Sequence, residues 1–277
     1  MSDERETIKT KIWLEEAEAD NPFAARACYC SGYDVYGDLL GKIRWTQYLY
    51  LLFKLELPDA QQEKLLETLA VAIANPGIRD HSVRAAMDAG VGGSTRASAL
   101  MAALAIGAGN LSGGREIVQM MRLWQVCDRD LASWQNYVLA PPEEERPDVW
   151  LPMEHVPGFD PNGASCPLPV RQTLDALAAI KPDGRLSWLK TQRETLEQTV
   201  GYPLAMSGVI ATAIADLGFA EGEAEMLYLM LRLPGAAAHA LEQEKSGWRK
   251  YPFFGPVLKP MTNDEYQGVL ASLENDE

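Results

Sequence analysis

Apolar residues recur along most of this chain with a helical rather than a strand period. Between Gln61 and Ala74, residues Leu65, Leu66, Leu69, Val71 and Ile73 stand among charged and small residues near a 3.6-residue spacing. That pattern predicts an amphipathic helix, and Asp59, directly after Pro58, is placed to cap it. Ser94 to Ile106 is small and apolar almost all round. The expectation there is a buried helix whose small side chains let another helix, including one from a second subunit, approach closely. Arg115 to Tyr137 carries Ile117, Met120, Met121, Leu123 and Trp124 and reads as one long helix, ending before an exposed Pro- and Glu-rich loop from Pro141 to Pro147. Further helices are predicted over 170–180, 185–200, 204–217, 223–231 and 235–245. Val156 to Pro169 is too rich in Gly and Pro for one regular element. Strand signals are scarce, and neither an internal repeat nor a heptad run is present. The expected fold class is all-α.

Composition narrows the partners more than the reaction. The 277 residues suit one large domain, or a larger domain carrying a smaller one. An apolar share of 47% and a charged share of 23% are those of an ordinary soluble protein. A formal net charge of −14 argues against a nucleic-acid partner, which needs clustered Lys and Arg. The opening MSDERETIKT has no apolar secretory core. The most apolar run, Ala97 to Ala108, is far shorter than the roughly 20 residues of a membrane span. A cytoplasmic protein with no membrane partner is expected. Of the four cysteines, Cys28 and Cys30 are one residue apart, which is neither a zinc nor a redox spacing; Cys127 and Cys166 stand alone. All four are read as reduced thiols, with no metal site.

The order of several segments carries more information. LLGKIRWTQYLYLLFKLELP (Leu39 to Pro58) is followed by ANPGIRDHSVRAAMDAG, a small-residue helix, and GNLSGGREI. A Gly-Phe-Asp segment comes at Gly158 to Asp160, then PLAMSGVIATAIADLGF (Pro203 to Phe219) and LPGAAAHALEQ (Leu233 to Gln243). Over roughly residues 33 to 258 this succession resembles the citrate synthase superfamily, and most of all its short citryl-CoA lyase-like members. The resemblance implies a larger helical domain, residues 1–158 and 232–277, and a smaller one, residues 159–231, with a closing cleft between them. It also implies a homodimer, and a coenzyme A thioester or a small carboxylic acid as substrate or ligand, with no other cofactor required.

The family's reaction makes or breaks a carbon–carbon bond beside a thioester. It needs a base and hydrogen-bond donors aimed at the oxygens where charge develops. Matched residue by residue, this sequence has lost those groups. The family's substrate-binding histidine falls on Pro76, and the enolate-stabilising histidine of His-Gly-Gly falls on Ser112 of Ser112-Gly113-Gly114. The second catalytic histidine falls on Pro161, the catalytic aspartate on Ser207, and the arginine of Asp-Pro-Arg on Leu168, near which Arg171 is a substitute. Arg249, in WRKYP, keeps its type.

The remaining polar residues are the candidates for chemistry. Asp160 puts a carboxylate where the family has glycine, as an alternative base or a turn residue. Ser112 offers a hydroxyl beside backbone N–H groups of Gly113 and Gly114, or simply makes a tight turn. His81 is a displaced acid–base group or a residue of a helix's first turn near Asp80. Catalytic candidates are therefore Asp160, Ser112 and His81; candidates for substrate binding are Arg249, Ser207, Gly113 and Gly114. His155 lies in a Pro-rich loop and His239 on an Ala-rich helix, where a packed, hydrogen-bonded histidine is the plainer reading. Cys166 has no visible cation to make it reactive. Tyr29, Tyr33, Tyr36, Tyr48 and Tyr50 read as core and interface. Three functions stay open: a divergent homologue without the ancestral chemistry that binds an acyl-CoA or carboxylic acid, an enzyme with a repurposed cleft, and a structural or interaction protein.

Overall fold

The computed structural model describes residues 10–140 and 153–251. The expected loop from Pro141 to Pro147 and the chain beyond Tyr251 lie outside the described residues. Ten α-helices dominate what is described: α1 (Trp45–Lys54), α2 (Ala60–Ile73), α3 (His81–Val91), α4 (Arg96–Gly107), α5 (Gly114–Cys127), α6 (Leu131–Leu139), α7 (Leu168–Ile180), α8 (Arg185–Val200), α9 (Met206–Asp216) and α10 (Glu221–Ser246). The helical class expected from the sequence is therefore the class observed, with one addition. Near the start, β1 (Leu14–Ala17), β2 (Ala25–Cys30) and β3 (Tyr33–Asp34) form a small antiparallel sheet in that order, with Leu14 opposite Tyr29 and Cys30 opposite Tyr33. Its strands contain no β-branched residue, which is why they were inconspicuous.

Three helix predictions change. The helix expected over Arg115 to Tyr137 is two, because Asp128 turns the backbone to φ +39° and Asp130 then caps α6 by accepting from Ser133 N. The two helices expected on either side of Pro234 are one, α10. Proline has no N–H for the helical ladder, and the next residue leaves the ladder usefully: Gly235 N donates to Ala74 O at 2.7 Å. Only glycine allows that approach, since a Cβ there would lie 2.6 Å from the same oxygen. Finally, α4 is not buried all round. Ala99, Ala103 and Gly107 are covered, whereas Met101 and Ile106 are 61% and 52% exposed. Elsewhere the expectations hold closely: Asp59 caps α2 by accepting from Gln61 N and Gln62 N.

Of three apolar clusters, one packs Cys30 of β2 and Leu39 against Leu51 of α1, and the other two hold most of the helices. The larger joins α1, α2, α5 to α9 and the first half of α10, and it includes a trio of indoles. Trp124 and Trp134 stand 4.7 Å apart and Trp188 5.6 Å from each. The two fully buried indoles have their N–H groups satisfied, Trp124 by Thr212 Oγ1 at 3.0 Å and Trp134 by Asp128 O at 2.8 Å. The smaller cluster is mostly alanine and joins α3, α4 and the second half of α10. The larger cluster draws on both sides of the boundary expected at 158/159. Near the boundary expected at 231/232, Leu231 belongs to the larger cluster and Leu233 packs on the smaller.

Candidate functional site

The residues around the Ser112-Gly113-Gly114 turn converge on one side chain that the sequence reading passed over, Glu116. It sits in the first turn of α5 and its side chain is 1% exposed. Three donors from three separate elements meet its carboxylate. Ser112 N reaches Oε2 at 2.5 Å. Gly158 N and the Ser207 hydroxyl reach Oε1 at 2.8 and 2.7 Å. Burying a carboxylate is costly unless its lone pairs are met. Here charge-assisted bonds meet them, and the charge lies at the start of both α5 and α9, where helix dipoles favour an anion.

Local backbone chemistry builds this arrangement. Ser112 adopts φ +51°, the left-handed region, and Gly113 follows in a space closed by the backbone of Gly109. The Ser112 carbonyl accepts from the Tyr228 hydroxyl at 2.5 Å and from Arg232 Nη1 at 3.0 Å. Arg232, itself buried, pairs with Asp80, which caps α3 by accepting from Ser82 N at 2.9 Å. Burial pushes the Tyr228 hydroxyl well above its ordinary range, Arg232 pulling the other way. From the opposite side, residues 158–160 pair with the run into α9: Ala205 N donates to Gly158 O and Asp160 N to Pro203 O, both at 2.9 Å. Gly158 and Gly208 touch directly, and a Cβ on Gly208 would lie 2.5 Å from Gly158 O. That contact delivers Gly158 N and Ser207 to the same point.

His155 completes the centre without joining its hydrogen bonds. Its side chain is 8% exposed, and Nε2 lies 3.7 Å from Glu116 Oε1. This is within reach of an ion pair but beyond a hydrogen bond, and Nε2 has no hydrogen-bond partner.

The other predicted residues lie in simpler surroundings. Asp160 closes a turn by accepting from Asn162 N at 2.9 Å and is half-buried. His81 is the exposed first residue of α3. Arg249 is exposed and stacks 5.2 Å over the Trp248 ring. His239 Nε2 stands 3.1 Å from Asn75 Oδ1, tying α10 to the loop that contains Pro76. All four cysteines are unpaired and buried, and burial raises the thiol of Cys166. Tyr50 is core, whereas Tyr36 is 62% exposed. Of the sequence candidates, Ser112 and Ser207 thus meet at Glu116, while Gly113 packs on the Gly109 backbone and Gly114 faces Glu225; Asp160, His81 and Arg249 lie apart from that centre. Glu116 did leave a trace in the sequence. It lies four residues before Met120 and eight before Trp124, on the apolar stripe of its helix, where a carboxylate has to be satisfied internally. Among the described residues, no group of three or more His, Cys, Asp or Glu side chains is placed to hold a metal ion. No described helix is long and apolar enough to cross a membrane.

The architecture is that of a known class of helical proteins. The chain has the fold shared by citryl-CoA lyase and citrate synthase. Citryl-CoA lyase from Hydrogenobacter thermophilus superposes with a TM-score of 0.68 at 20% identity, covering 94% of this chain and 100% of that one. An ATP citrate lyase variant from Methanosaeta concilii, solved with (3S)-citryl-CoA, gives 0.69 at 16%, covering 95% of this chain and 43% of that one. Citrate synthase from Thermotoga maritima gives 0.54 at 17%, covering 79% and 60%. No family model and no curated protein sequence matches the chain.

Proposed function

We propose that this protein uses the citrate-synthase fold to bind an acyl-CoA or a carboxylic acid and lacks the ancestral carbon–carbon chemistry. One observation carries the reading. The Glu116 carboxylate stands between Ser112 and Ser207, the positions at which the resemblance puts the enolate-stabilising histidine and the base. Donors that a substrate oxygen would need are met by a side chain of the chain itself, at 1% exposure. Ser207 donates its proton into that carboxylate rather than to an imidazole base. The other two matched positions, Pro76 and Pro161, carry no exchangeable proton. Opening a cleft at the expected 158/159 boundary would separate Glu116 from Ser207, so the carboxylate also acts as a clasp.

The ligand class follows from the fold's company and from one cavity. Proteins of the same fold have been solved with (3S)-citryl-CoA and with citrate and coenzyme A. In this chain a cavity of about 540 Å³ is lined by Gly163 to Cys166, Arg171, Arg193, Glu197 and Tyr202, beside the Leu168 position. Arg171 is the cation available there to an anionic ligand, since Arg193 is engaged by Glu194 and Glu197. The homodimer belongs to the same reading. Met101 and Ile106 on α4 are the apolar residues left for a second copy, beside a groove of about 230 Å³ lined by Ala99, Leu100, Ala237 and Leu241.

The decisive assay is turnover of citryl-CoA, and of acetyl-CoA with oxaloacetate, by the purified protein. The expected result is none. Turnover in the ordinary enzyme range of about 1–10³ per second overturns the reading. A thermal-shift series with acyl-CoAs and with di- and tricarboxylates then separates the ligands. Stabilisation by coenzyme A thioesters retains that class, and stabilisation by acids alone replaces it.

A further inference from the structure

We propose that the Glu116 centre is a carboxylate-binding site that the chain fills from within, so that removing the Glu116 side chain opens it to a free small monocarboxylate. The inference rests on the reading that Glu116 occupies the former catalytic position. Both carboxylate oxygens are met, Oε2 by Ser112 N and Oε1 by Gly158 N and Ser207 Oγ. The set therefore recognises the shape and charge of a whole carboxylate, not a single oxygen. Each donor also has an anchor besides Glu116. Gly158 is held by Ala205 N, Ser207 by the first turn of α9, and Ser112 by Tyr228 and Arg232 on its carbonyl.

His155 is the independent sign of unused recognition. A buried ring nitrogen without a partner is rare, and this one faces Glu116 Oε1 from 3.7 Å. Glu116 is tethered to α5 and stays outside hydrogen-bond range of it. A free carboxylate has no tether and can settle against the imidazole while keeping the three donors. Glu116→Ala deletes a CH₂–COO⁻ unit, so acetate is the anion that replaces what was lost. Butyrate exceeds the vacated space, and acetamide lacks the charge that the two helix starts favour.

The test is thermal unfolding of full-length Glu116→Ala and of the wild type in an acetate titration, with chloride holding ionic strength constant. The variant's midpoint is expected to rise with the logarithm of acetate concentration, by about 2–3 °C at a tenfold excess over the dissociation constant. The wild type, whose site is filled, should show no such rise. Acetamide and butyrate should leave the variant unmoved, and adding Ser207→Ala should weaken the acetate effect several-fold. A variant that responds to acetate no more than to chloride, or a wild type that responds equally, overturns the proposal. Should Glu116→Ala not fold alone, its refolding yield in acetate against chloride decides: a higher yield supports the site and an equal yield overturns it. Turnover of citryl-CoA by the wild type would overturn the functional reading and leave the acetate result standing, so the two failures are distinguishable.

Discussion

Glu116 and Asp160 are both carboxylates in segments that carry the family resemblance, and the fold treats them in opposite ways. Glu116 is sealed between three elements and accepts from three donors. Asp160, two residues from one of those donors, closes its own turn through Asn162 N and keeps part of its surface in solvent. A match of motifs singles out Asp160, because the resemblance implies a glycine there, next to a histidine position that holds Pro161. Burial singles out Glu116. The difference teaches that burial and convergent donors, which only packing supplies, separate a carboxylate built into the core from one that merely closes a surface turn.

The largest effect that tests this contrast is the loss of Glu116. Glu116→Ala strands three donors, two of them backbone, in a buried space, and should destabilise by about 3–5 kcal/mol in chemical denaturation. A cost below about 1 kcal/mol would mean that Glu116 is no more a linchpin than Asp160. Next comes Ser207→Ala, which removes one bond to a charged acceptor and should cost about 1.5–3 kcal/mol by the same measurement. Tyr228 gives a pH-dependent signature on the Glu116 side. Its hydroxyl ionises less readily in the folded protein than at its ordinary value of 10.0, chiefly through burial. The unfolded chain therefore releases this proton first, and the contribution to stability is complete below pH 10 and lost as pH rises beyond it. Stability measured from pH 9 upward should fall less steeply in Tyr228→Phe than in the wild type. The smallest effect is expected for Asp160→Ala, within about 1 kcal/mol, because only a solvent-accessible turn is loosened. A drop as large as that of Ser207→Ala would erase the contrast.

Much of the scaffold was legible in the chain. The period of Leu65, Leu66 and Leu69 with Asp59 before it marks α2, and α8 runs over the stretch expected for it. The misses have local physical causes. Pro234 looked like a helix end, yet α10 continues because a neighbouring loop carbonyl, Ala74 O, receives the freed Gly235 N–H. Asp128 looked like a helix interior, yet its positive φ splits α5 from α6. In the site, Ser112, its two glycines and Ser207 were visible by their places in the motif order. The common acceptor of Ser112 and Ser207 was not, because Glu116 and Ser207 are 91 residues apart and only packing of α5 on α9 joins them.

By itself, then, the sequence determined the helical class and the succession of segments that resembles the citrate synthase superfamily. Those properties reside in residue type, spacing and period, which survive without a third dimension. Tertiary structure alone decided that Ser112 and Ser207 face one buried carboxylate, that His155 stands beside it unpartnered, and that Asp160 does not belong to the group. The reason is that a hydrogen bond depends on positions within a few tenths of an ångström. Those positions are set here by the contact of Gly158 on Gly208 and by the turn at Ser112, between parts of the chain that no local pattern connects.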